Sequence, residues 1–137
     1  MSEPVQVEFH ASQHDLPFSQ VVRIGQMYYL SGQIGIDRAG RLVEGFDEQT
    51  TQTMCNISDV LESVGLEFRD VVKCTIMLKD MSFWEKFNQI YLTFFKSGNL
   101  PARSAFGTTG LAYGAEMEVE VWAVDTADAR TDRLAGH

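Results

Sequence analysis

The spacing of apolar residues along the chain switches between a period of two and a period near 3.6, and the switches mark its elements. Val5, Val7 and Phe9 alternate with polar residues, the pattern of a strand lying on a surface. His14–Ser19 reads as a loop around Pro17. Val21–Ile24 and Met27–Leu30 then flank Gly25-Gln26, a hairpin signature. A further short strand is expected over Gln33–Ile36, running into the turn Asp37-Arg38-Ala39-Gly40. Over Asp47–Val64 the period lengthens: Met54, Ile57, Leu61 and Val64 recur at i, i+3, i+7 and i+10, and Gly65 stands where a helix needs its left-handed end.

Period two returns at Val72, Cys74, Ile76 and Leu78, predicting a central strand. Ser82 and Glu85 have capping-box spacing, with Met81 placed to staple against Lys86 or Phe87. Phe83, Phe87, Ile90, Tyr91 and Phe94 then form a wide apolar stripe that ends at Gly98 and Pro101. Strands over Arg103–Thr108 and Ala115–Val124, joined by a Gly110–Gly114 loop, complete the order β-β-β-α-β-α-β-β. The expected class is α+β, a mixed sheet with two helices packed on one face. One domain is expected over 1–125, with a polar, small-residue tail over 126–137.

The last strand carries a further message. Ala115, Met117, Val119, Val121 and Ala123 make one apolar face, while Glu116, Glu118, Glu120, Trp122 and Val124 make the other. That second face is too polar for a core and too apolar to be simply solvated. Two helices cover only one side of the sheet, so the mixed face predicts a subunit interface or a lined cavity, and hence a homo-oligomer.

Composition changes this picture little but excludes several functions. With 137 residues, 45% of them hydrophobic and 22% charged, the chain can bury a core without disulfides or a structural metal. No apolar run approaches the ~20 residues that span a bilayer, and no signal-peptide pattern opens the chain, so no membrane partner is expected and the compartment expected is the cytoplasm. The net charge of −8 opposes a phosphate backbone, and no basic stripe offsets it, so nucleic acid is not an expected partner. Cys55 and Cys74 both fall in apolar periodic segments and read as reduced core thiols. His10 and His14 have helical ligand spacing, but Pro17 follows and no carboxylate cluster surrounds them, so no metal or other cofactor is expected.

The chemistry centres on Arg103. It opens a strand after Pro101-Ala102 and has no acidic residue two positions away on either side. Its planar fork matches a carboxylate, yet spacing alone favours a surface arginine or an interface ion pair over a ligand site. Glu118, Ser31 and Asn88 are likewise compatible with ordinary structural roles. The residues taken by themselves show no nucleophile–base pair and no phosphate loop.

Several landmarks in shared order and spacing resolve the choice. Ser31-Gly32-Gln33, Asp70-Val71-Val72-Lys73, Phe87-Asn88-x-x-Tyr91, Pro101-Ala102-Arg103-Ser104 and Glu118-Val119-Glu120-Val121 together resemble the Rid family, also called YjgF/YER057c or endoribonuclease L-PSP. The resemblance runs from about Phe18 to Val124. It implies a chorismate-mutase-like fold, a homotrimer with sites between subunits, and hydrolysis of enamine/imine intermediates such as 2-iminopropanoate to 2-keto acids and ammonia. It places the carboxylate-binding arginine at Arg103 and the water-positioning glutamate at Glu118, with Phe18, Ser31, Asn88 and Ala105 at further substrate-binding positions. Such a reaction needs no cofactor, because a protonated imine is already electrophilic.

Two positions depart from the pattern. Phe18 stands where many members have tyrosine, and Ala105 where they often have cysteine; Phe106–Tyr113 also departs from the usual Val-rich, Arg-Leu-Pro stretch. These departures favour an alternative, a non-catalytic module that binds a small carboxylate in the same cleft. Glu118 favours the enzyme, since a negative charge gains nothing for carboxylate binding. The ribonuclease that the family label suggests is opposed by the charge and by the lack of paired catalytic histidines.

Overall fold

Three strands, β1 (Val7–Ala11), β2 (Ser19–Ile24) and β3 (Met27–Leu30), open the fold as an antiparallel meander. A computed structural model of the chain describes residues 4–12, 14–96 and 98–126, so most of the tail expected over 126–137 lies outside the described residues. Helix α1 (Phe46–Ser63), strand β4 (Val71–Leu78), helix α2 (Trp84–Leu92) and strands β5 (Ala102–Gly107) and β6 (Met117–Val124) follow. The α+β order β-β-β-α-β-α-β-β is the one predicted.

The six strands form one mixed sheet in the order β1-β2-β3-β6-β4-β5. The β4–β5 pair is parallel, with α2 as its crossover, and the other pairs are antiparallel. Strand β6 therefore sits at the centre, between the opening meander and β4. Its odd-numbered side chains from Met117 to Ala123 are each 1% exposed or less. They pack with Cys74, Ile76 and Leu78 of β4 under Met54, Ile57 and Leu61 of α1 and Phe87 of α2.

Local chemistry fixes the ends of these elements. Gly25 turns the β2–β3 hairpin at φ +58°, with Ile24 paired to Met27 across it. Past α1, Gly65 adopts φ +78°; its N–H donates to the Glu62 carbonyl and that of Leu66 to Leu61, a Schellman closure with Leu66 buried.

The structure corrects four local expectations. Gln33–Ile36 is no strand: Gln33 makes one bridge to Val119 and Ile36 one to Leu42. The capping box is not at Ser82, because Asp80 caps instead, its carboxylate accepting from the Ser82 N–H at 2.9 Å above a 3-10 turn over Met81–Phe83. Met81 lies over Gly107, where an added Cβ would meet its Cγ at 2.9 Å. Cys55 is exposed while Cys74 is buried, because the buried stripe of α1 runs through Thr50, Thr53, Met54, Ile57, Val60 and Leu61. Val72 is exposed too, at a register shift between Val71 and Lys73.

Candidate functional site

Arg103 and Glu118 lie on opposite faces of the sheet. Arg103 pairs with Cys74, which pairs with Val121, so all three point toward the helices. Glu118 pairs with Met77, which pairs with Phe106, on the face without helices. Two strand spacings across and three residues along place their Cα atoms about 14 Å apart. Within one chain they belong to two separate groups of residues.

The first group surrounds Arg103. Its guanidinium carbon lies 4.9 Å from the ring centroid of Trp84 and 4.9 Å from that of Tyr91. Beside it is a cavity of about 340 Å³ lined by Asn88, Tyr91, Leu92, Leu100, Pro101 and Arg103. Among the described residues no carboxylate pairs with Arg103. Ala105, two residues along and on the same face, packs against the core, which leaves its backbone as the group it can offer. The buried Tyr91 hydroxyl sits beside the Cys74 thiol and Arg103 without a well-formed hydrogen bond. Burial holds both acids protonated: the thiol is pushed up to about 11, and the phenol is raised well above its ordinary value. Cys74 is therefore held as the thiol, not the thiolate that a nucleophile needs.

The second group surrounds Glu118. Ser31 donates from its hydroxyl to the Ser19 carbonyl at 2.6 Å, which ties it to the segment after the exposed Phe18. Gly32 and Gln33 continue along β6, with reciprocal backbone bonds between Gln33 and Val119. A Cβ on Gly32 would collide with the Glu118 carboxylate, so the glycine is what lets that carboxylate lie against the backbone. Partial burial raises the Glu118 pKa above the ordinary glutamate value, and the nearby Glu120 raises it further. A half-buried carboxylate with a raised pKa suits a general base.

The structure thus brings Asn88 to the cavity beside Arg103, with Ala105 on the same sheet face, and sets Ser31 next to the Gly32 against which Glu118 lies, with Phe18 exposed before Ser19. The sequence reading missed Trp84 and, as a site residue, Tyr91. Their signal was present as a second stripe, Trp84, Asn88 and Tyr91 at i, i+4 and i+7. A larger cavity of about 420 Å³ near Phe46, Phe83 and Glu116 lies away from both groups. Its Gln49 amide is already used, bonding the Glu116 N–H and the Val43 carbonyl. Among the described residues no His, Cys, Asp and Glu cluster could hold a metal, and no helix is long and apolar enough to cross a membrane.

Comparison with known proteins gives consistent matches. The family model described as Endoribonuclease L-PSP matches residues 10–125. The 2-iminobutanoate/2-iminopropanoate deaminase of Mus musculus is 40% identical over 110 residues, covering 79% of this chain and 81% of its own. A RutC family protein of Aquifex aeolicus is 41% identical over 110 residues, covering 79% and 88%. The crystal structure of the YjgF gene product of E. coli superposes with a TM-score of 0.78 at 30% identity, covering 86% of this chain and 94% of that one.

Proposed function

The chain belongs to the endoribonuclease L-PSP (Rid) family, and from that premise we propose that it hydrolyses enamine/imine intermediates such as 2-iminopropanoate to 2-keto acids and ammonia. The observation that carries this reading is the Arg103 guanidinium: it lies over the Trp84 and Tyr91 rings, has no carboxylate partner among the described residues, and borders a cavity sized for a small acid. The mouse relative, at 40% identity, is named for the same chemistry.

The site is completed between subunits of a homotrimer. Arg103 of one copy and Glu118 of another converge on a substrate that neither reaches alone. The open sheet face supports this assembly. Phe9, Val22, Tyr29 and Trp122 stand in one row across it, and Phe9 is 72% exposed in the single chain.

In the reaction, Arg103 holds the substrate carboxylate through charge-assisted hydrogen bonds and so fixes the C=N carbon. Glu118 takes a proton from water as the oxygen bonds to that carbon. Glu118 passes that proton to the nitrogen of the resulting carbinolamine, and the C–N bond breaks as the hydroxyl gives up its own proton to the carboxylate, releasing ammonia and leaving the keto acid. Partners are small 2-imino and 2-keto acids in the cytoplasm. The net charge of −8 opposes a polyanionic partner such as nucleic acid.

Imines generated in situ should decay faster with the protein than without it. Arg103→Ala should lower that acceleration, and pyruvate affinity with it, about ten- to a hundred-fold, the loss expected for one bidentate charged contact. Pyruvate binding without any acceleration of imine decay would favour the non-catalytic module. A sedimentation mass of one chain at micromolar concentration would refute the intersubunit site.

A further inference from the structure

We propose that Trp84 is a positioning residue for Arg103: with Tyr91 it clamps the guanidinium between two aromatic rings, which orients the fork while leaving its charge available to an anion. The identity of that anion rests on the deaminase reading; the clamp rests on geometry. Trp84 and Tyr91 are seven residues apart on one face of α2, about 10 Å along the helix axis. The same guanidinium carbon lies over both rings, 4.9 Å from each centroid, so two rings presented by one helix face contact one cation.

The usual way to fix an arginine is a carboxylate, which also neutralises it and occupies its N–H edge. Aromatic rings act differently. They take the flat faces of the guanidinium through cation–π attraction and leave the N–H edge open. Asn88, four residues after Trp84 and three before Tyr91, lies between the two rings on the same helix face and lines the cavity with Arg103. The clamp also explains an unusual economy in the site, in which a half-buried guanidinium stands without any acidic neighbour among the described residues.

Three variants test this. Trp84→Leu removes the π face but keeps an apolar side chain, Trp84→Phe keeps the face, and Arg103→Lys identifies the arginine signal. Trp84 is 36% exposed, so its replacement leaves the core intact. In side-chain NMR spectra, the Arg103 δ-proton and Nε–H resonances should be displaced by ring currents in the wild type and in Trp84→Phe, and shift back in Trp84→Leu. In calorimetry, pyruvate should bind Trp84→Leu roughly 3- to 30-fold more weakly than wild type, and Trp84→Phe within about two-fold of it. An undisplaced Arg103 signal in the wild type overturns the clamp. So does equal pyruvate affinity in Trp84→Leu, or an equal loss in Trp84→Phe, which would make bulk rather than the π face responsible. A wild type with a displaced Arg103 signal that binds no pyruvate overturns the deaminase reading, and the clamp's role toward a carboxylate, while leaving its geometry in place. Should Trp84→Leu fail to fold, Tyr91→Phe decides: loss of the displaced signal or of pyruvate affinity with only the hydroxyl removed overturns the clamp.

Discussion

The two faces of β6 share one backbone and divide the labour of the molecule between them. Met117, Val119, Val121 and Ala123 face the helices and are sealed, whereas Glu118, Glu120, Trp122 and Val124 face outward and keep some exposure. The sealed face is chosen for volume, and the open face keeps its charged groups in reach of water. A carboxylate on the sealed side would be buried without a partner and would cost several kcal/mol. On the open side it is half-buried, enough to raise its pKa without forbidding its charge. Arg103 shows the same compromise at the margin of the helix-covered side, on the edge strand β5.

The division is broken most strongly by Glu118→Gln. The variant keeps size and most hydrogen bonding but removes the carboxylate proposed as the base. Imine hydrolysis should fall by about 10²–10⁴, while the melting temperature changes little. Equal activity in wild type and variant would assign the water to another group.

Ile76→Ala tests the sealed face. It lies on β4 directly beside Val119, 0% exposed, and should lose about 2–5 kcal/mol of stability by denaturant unfolding, with activity per folded molecule retained. Met77→Ala, its neighbour pointing the other way, should cost less in an isolated chain. A Met77 loss as large as that at Ile76 would mean that assembly buries the open face as deeply as the helices bury the first.

These contrasts show how much was legible in the sequence. Alternation in β6 separated the two faces because a strand's period is two whatever covers it. The helices were found by their apolar stripes, and Gly65 by the Schellman geometry that only a left-handed residue completes. The Ser82 capping box was misread because the Asp80 carboxylate, two residues earlier, accepts from the Ser82 N–H that the box would have given to Glu85. Cys55 was misread because the apolar Met54 and Ile57 stand close to it in sequence while its own angular position on α1 is outward. Arg103, Glu118, Ser31, Asn88, Phe18 and Ala105 were marked by motif resemblance. Their division between two sheet faces was not, because strand order, with β6 inserted between β3 and β4, is a long-range property that no local pattern carries. Trp84 was missed for a similar reason, since its partner is a strand that follows a crossover.

Gly32→Ala offers a smaller and more selective break. The new methyl would collide with the Glu118 carboxylate, and the flexible end of that side chain, not the backbone, must yield. Activity should fall about 10- to 100-fold, the cost of displacing a catalytic group by an ångström or so. Stability should be nearly preserved. Gly35→Ala provides the contrast: its Cβ would meet the Gln49 backbone carbonyl at 2.7 Å, so it should lose about 1–3 kcal/mol of stability instead.

The smallest effect is also the sharpest probe of the open face. Burial is the larger cause of the raised Glu118 pKa, and the charge of Glu120, two residues along on the same side, is the lesser. A general base works only when deprotonated. Activity is therefore present above the raised pKa and lost as pH falls through it, so the acid limb of kcat/KM should lie above the ordinary glutamate value. Glu120→Gln removes the lesser cause alone. It should move the limb toward lower pH while leaving the plateau rate close to wild type, and Glu118→Gln should abolish the limb along with most of the rate. A limb that stays in place in Glu120→Gln would mean that the two carboxylates do not sense each other in the assembled protein, as expected if the guanidinium of a second copy stands between them.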